Sequence, residues 1–95
     1  KLEQHIHEIL FPNYYFSWSE HAKVHGLDPN QAAEEELKEW INWRNRKCDT
    51  IAMWCQIFYK KDIFVTRDSN FHKATKKTAL EKLGAKRILY PGEVI

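Results

Sequence analysis

Ninety-five residues, 43% of them hydrophobic and 14% aromatic, suit one small domain with a modest core and exclude bulk disorder and a multidomain chain. Apolar runs stay far below the ~18 residues of a membrane span, and His5, His7 and Glu8 interrupt anything like a signal peptide. The net charge of +2 hides an asymmetry: residues 1–43 carry three Lys against eight Asp and Glu, residues 44–95 twelve Lys and Arg against five acids. A basic second part either attracts a polyanion such as nucleic acid or is a mixed solvated surface.

In chain order, Leu2, Ile6, Ile9 and Leu10 recur at helical spacing, and Pro12 ends the pattern. Asn13–Phe16 reads as an aromatic connection. Ser17 and Glu20 form a capping-box pattern, with Gly26 as the terminal cap, so a short helix is expected over 18–25. Asp28-Pro29 with Gln31 is a second helix start, with Glu34–Glu36 near its positive end. That helix is expected to run into the Trp40/Trp43 region, with a break, kink or new helix near Asn45–Cys48 where the pattern turns polar. The following helix ends at Lys60-Lys61. Ile63–Thr66 reads as a strand, 71–83 as a helix capped by Gly84, and Arg87–Tyr90 as a second strand stopped by Pro91-Gly92.

Strands separated by a helix lie parallel in one sheet, which is α/β logic. Two strands are few for such a sheet, so others are expected from a longer chain or from a partner. Lys1 in place of a starting Met agrees with a piece of something longer. Cys48 and Cys55, seven apart on one helix face, suit neither a disulfide nor a zinc knuckle. They read as reduced, partly buried thiols of a cytoplasmic protein.

The strand Ile63–Thr66 is followed directly by Arg67 and Asp68. In open α/β sheets, sites form beyond the carboxyl ends of strands. A carboxylate there needs a partner, and a divalent cation with waters and substrate phosphate is one candidate. Asp49, expected near the start of the helix that leads into the strand, is the natural second acid.

Residues 48–95, CDTIAMWCQIFYKKDIFVTRDSNFHKATKKTALEKLGAKRILYPGEVI, resemble the C-terminal half of a PIN domain. The resemblance rests on Asp49, on Thr66-Arg67-Asp68 with Phe71 after an apolar strand, on the final Ile88-Leu89-Tyr90-Pro91-Gly92-Glu93, and on the gap between the two acids. It implies the C-terminal portion of a PIN-like three-layer parallel sheet without its N-terminal strand. It also implies a Mg2+- or Mn2+-dependent endoribonuclease, a class that includes RNA-processing enzymes and toxins with protein antitoxins. Asp49 and Asp68 would hold metal, Thr66 would position Asp68 or a metal-bound water, and Asn70 would belong to the same rim. The family's first-strand Asp has no counterpart here, and Glu3, Glu8 and Glu20 are equal candidates for its early Glu. Half a metal site is thus expected, with weak metal binding and little catalysis by the chain alone. An exposed sheet edge or the aromatic helices would favour a homo-oligomer.

Each of these residues has a plainer role open to it. Asp68 can cap the next helix and Asp49 can be an N-cap, while Asp62 suits a turn. Arg67, Lys73, Lys76 and Lys77 can steer RNA phosphates or form a solvated face. His72 can touch substrate. His21 and His25 have metal-pair spacing, but no third ligand stands out, so they read as surface histidines; His5 and His7 fall on different faces. Trp18, Trp40, Trp43 and Trp54 suit core or interface packing better than base stacking. In organisation, 1–45 is expected to be a helical portion and 46–95 a helix–strand–helix–strand portion carrying the acids. Besides the ribonuclease, a non-catalytic interaction module with a helical aromatic interface and a small DNA binder using the basic 74–87 stretch remain open.

Overall fold

A computed structural model describes residues 1–94. It is a helix-rich α/β arrangement with a small parallel sheet. Helix α1 (Leu2–Leu10) buries Ile6 and Leu10, one turn apart on one face. The helix stops where the Phe11 N–H bonds back to the His7 carbonyl, just before Pro12. Helix α2 (Trp18–Val24) follows the aromatic connection. Ser17 stands at its N-cap, yet its side chain makes no capping bond, so the expected capping box does not form. Helix α3 (Pro29–Glu34) starts as expected: Asp28 Oδ1 accepts from the Asn30 and Gln31 N–H groups at 3.0 and 3.1 Å.

The break in the middle of the chain lies elsewhere than expected. Helix α3 ends at Glu34, and α4 then runs unbroken from Lys38 to Phe58. Residues 45–48 lie within it, and so does the expected 45/46 boundary between portions. The polar run Arg44–Lys47 marks a solvent and groove face of a continuous helix, with no Gly or Pro to interrupt it. The real break is at Glu36, which takes a left-handed conformation (φ 50°) and lets Leu37 enter α4 in an extended one. Asp49 is therefore a mid-helix residue and caps nothing. Cys48 is exposed and Cys55 half-buried on α4; both are free.

Strand β1 (Ile63–Val65) pairs in parallel with β2 (Arg87–Leu89), Phe64 beside Ile88. Thr66 lies past the strand's end, although its N–H still donates to the Leu89 carbonyl at 3.0 Å. The helix expected over 71–83 is divided into α5 (Ser69–His72) and α6 (Ala74–Leu80) by an extended Lys73. Phe71 and Leu80 are both buried in the core. On one uninterrupted helix, nine residues would put them about two and a half turns apart, on opposite faces. The break at Lys73 lets both point inward. A π turn over Glu81–Ala85 follows, closed by Gly84 at φ 124°.

The core joins Ile6 and Leu10 of α1, Met53 of α4, Phe71, Leu80, Ala85 and Ile88. Buried Gln56 ties α4 to its surroundings, donating from Nε2 to the Lys61 and Ala85 carbonyls at 2.8 and 3.1 Å. Helices cover the sheet face that carries Phe64 and Ile88; on the other face Ile63 and Val65 are exposed. Among the described residues, then, no third layer covers the sheet. A separate aromatic cluster holds α2 and α3 to α4: Trp40 stacks on Trp43, Trp18 meets Trp40 edge-on and Trp43 at a tilt, and the Trp18 and Trp43 Nε1–H groups donate to the Pro29 and Tyr15 carbonyls at 2.9 Å. No helix is long and apolar enough to cross a membrane among the described residues.

Candidate functional site

The antiparallel return from α4 to β1 sets the geometry of the site. From Asp49 to the end of α4 is nine residues, about 14 Å of helix rise. From Ile63 to Asp68 is about 16 Å of extended chain. The two travel nearly equal distances in opposite directions, so Asp68 returns level with Asp49. Both acids line one open groove of about 410 Å3, walled by Leu10–Tyr14, Asn45, Arg46, Asn70 and Lys76.

The carboxylates differ in environment. Asp49 is half-buried, and burial raises its pKa above the ordinary Asp value, with the nearby Asp68 charge adding to the rise and Arg46 opposing it. Asp68 is exposed. Its Oδ1 accepts from the Asn70 N–H at 2.9 Å, so Asp68 does cap α5, while Thr66 Oγ1 accepts from the Asp68 N–H at 3.1 Å. Capping uses one carboxylate oxygen and fixes the side chain at the groove.

Cations and an amide complete the rim. Lys76 Nζ donates to the Leu10 carbonyl at 2.7 Å and to Asn70 Oδ1 at 2.6 Å; Asn70 Nδ2 donates to the same carbonyl at 3.0 Å. These bonds pin α5 and α6 to the end of α1, where the last helical carbonyls lack intrahelical partners. Burial lowers the Lys76 pKa, as does the Lys73 charge, against the pull of Asp68. The Arg46 guanidinium carbon lies over the Tyr14 ring, 4.5 Å from its centroid, and Arg46 donates to the Asn42 carbonyl.

Of the residues expected at the site, the fold brings together Asp49, Asp68 and Asn70. Thr66 stands one bond behind, on the backbone of Asp68. Arg67, His72 and Lys73 do not line the groove. His72 is occupied elsewhere: it stacks on Tyr90 with ring centroids 3.5 Å apart and donates from Nε2 to the Thr66 carbonyl. Of the four basic candidates for steering phosphate, Lys76 lines the groove and Arg67, Lys73 and Lys77 do not; Arg46 was not foreseen. The expected break at 45–48 hid Arg46, since only a continuous α4 puts residues 45, 46 and 49 on one face. No family model, curated protein or solved structure matches the chain.

Two carboxylates facing one space suit a hard divalent cation, which takes oxygen ligands and keeps several waters. A half-buried acid with an exposed one beside it, flanked by a guanidinium and an ammonium, presents both signs at short range. That combination suits a phosphate diester bridging cation and basic rim better than a neutral ligand.

Proposed function

We propose that this chain carries the acidic centre of a PIN-like, Mg2+- or Mn2+-dependent endoribonuclease. The observation that carries the reading is the convergence of Asp49 and Asp68, nineteen residues apart in sequence, in a groove with Arg46 and Lys76. The donor set fits a divalent ion held by two carboxylates, with water and phosphate oxygens as its other ligands. When bound, such an ion lowers the pKa of water and offsets charge at the phosphate.

The chain's own groups supply the rest. A carboxylate oxygen of Asp49 accepts the proton from the attacking water. Arg46 and Lys76 offset charge on the non-bridging phosphate oxygens as the phosphorus–oxygen bond to the leaving group breaks. Asn70 holds the Lys76 ammonium at the rim, and Thr66 holds the turn that presents Asp68. Two acids are half of the set that such nucleases use, so turnover by residues 1–95 is expected to be slow. RNA is the proposed substrate. A second copy, pairing along the open edge of β1, or an antitoxin-like protein is the proposed protein partner.

Incubating the chain with a fluorogenic single-stranded RNA tests this reading. Slow cleavage is expected with Mn2+ or Mg2+, abolished by EDTA and at least tenfold lower in Asp49→Asn and in Asp68→Asn. Cleavage that survives chelation or either substitution contradicts the assignment, as does a wild-type chain whose RNA binding and cleavage are both indifferent to the metals.

A further inference from the structure

A second cluster of ligating groups lies away from the groove, between α2 and the start of α4. His21 is 2% exposed, and its Nε2 is the one buried side-chain nitrogen or oxygen without a hydrogen-bond partner among the described residues. The atom is not adrift: Glu39 Oε2, from the first turn of α4, lies 3.5 Å from it. His25 follows His21 by one helical turn, with its ring 4.2 Å away. Its Nδ1–H donates to the His21 carbonyl at 2.8 Å, which fixes the tautomer and leaves Nε2 with the free lone pair. One ligand atom each from His21, His25 and Glu39 fall within 4.8 Å of one another.

We propose that His21, His25 and Glu39 bind a divalent transition ion, Zn2+ in the first instance, distinct from the oxygen-ligated cation of the groove. Two imidazoles and one carboxylate form a donor set of borderline softness that Zn2+ takes as three protein ligands, with water in a fourth position. A backbone carbonyl holding the far nitrogen of a ligating histidine is the support that such sites use, and His25 has it. The ion gives the orphaned His21 nitrogen a partner. Closing the cluster onto an ion at about 2 Å from each ligand asks for small movements by His25 and Glu39, both of which have solvent-facing side chains free to make them. Ligation through His21 Nε2 moves the ring proton to Nδ1, and the long 3.5 Å contact from the Tyr15 N–H is given up. Tyr14 stacks on the His21 ring and Trp18 lies beside it, so the ion sits against an aromatic wall. The ion would join α2 to α4, elements otherwise held by the tryptophan cluster.

Calorimetric titration of ZnCl2 into untagged chain, stripped with a chelator and then freed of it, tests this directly. With excess Mg2+ present to fill the groove, one Zn2+ per chain is expected, bound at least tenfold more weakly by His25→Ala and by Glu39→Gln; both positions are accessible enough for the variants to fold. Co2+ in place of zinc is expected to give the visible absorption of a four-coordinate site, lost in His25→Ala. Asp68→Asn, which alters only the groove, is expected to bind zinc like the unaltered chain. Absence of zinc binding below millimolar concentration overturns the proposal. So does binding that His25→Ala and Glu39→Gln leave unchanged, or binding that Asp68→Asn abolishes.

Discussion

At the scale of single residues, the groove acids set function against stability. Burial and the Asp68 charge raise the Asp49 pKa, so the folded protein favours protonated Asp49. The stability this contributes is present below the unfolded value, about 3.9, and is lost as pH rises through the folded value. At neutral pH the ionised Asp49 is thus a cost. Asp49→Asn is expected to raise the melting temperature at pH 7, and Mn2+ to raise that of the unaltered chain but not of the variant. A melting temperature lowered by Asp49→Asn in metal-free buffer contradicts this account of the groove.

Two histidines act with the opposite slope. His7 is 1% exposed, donates from Nε2 to the Tyr14 carbonyl at 2.8 Å, and has its pKa lowered chiefly by burial. His21 is shifted the same way, by burial and then by His25, against Glu39. The unfolded chain takes up these protons first, so the folded state loses stability as pH falls below about 6.5. Melting is expected to move to lower temperature between pH 7.5 and pH 5. The effect is read most cleanly in Asp49→Asn, where the opposing carboxylate is gone; a flat profile there contradicts it. Neither buried histidine was legible in the sequence. A histidine on an amphipathic helix reads as polar, and the carbonyl that satisfies His7 comes from a loop seven residues on.

At the scale of elements, legibility followed local chemistry. Asp28-Pro29 announced α3, and Ile63–Val65 and Arg87–Leu89 announced the strands, because cap and β-branched signals act within a few residues. The break between α3 and α4 was misplaced because no Gly or Asn marks it; Glu36 takes the left-handed conformation without the usual residue for it. Lys60 does the same after α4, at φ 54°. It is exposed, so Lys60→Gly relieves strain without losing packing and is expected to stabilise the protein by about 0.5–1 kcal/mol in urea melts. A destabilised variant would show that Lys60 makes contacts that outweigh its backbone. The division of α5 from α6 was illegible for a different reason: it answers to the tertiary demand that Phe71 and Leu80 both reach the core.

At the scale of the whole molecule, the meeting of the two acids was legible and the groove around them was not. Asp49 and Asp68 were paired on the expectation that Asp49 starts a helix; it lies mid-helix, and the two still meet because helix rise and strand rise nearly cancel between them. Arg46 and the Leu10 carbonyl could not be foreseen, and nothing singled out Lys76 among the four basic candidates, since these groups meet only when α1 packs across α4 and α6. The charge asymmetry takes its meaning from the same packing. The basic second part contributes both cations of the rim, while the acidic first part carries Glu39 beside the two histidines. The protein thus presents two side-chain clusters of different donor chemistry, two carboxylates in the groove and two imidazoles with one carboxylate between α2 and α4.

The proposed function requires that Asp49 and Asp68 hold one divalent cation between them. Titration of Mn2+ followed by the loss of its free-ion electron paramagnetic resonance signal tests it without requiring turnover. The account predicts one Mn2+ per chain in the groove, displaced by excess Mg2+, and at least tenfold weaker in either Asp49→Asn or Asp68→Asn. Unchanged Mn2+ uptake in both variants, or no uptake by the unaltered chain at millimolar metal, would contradict it.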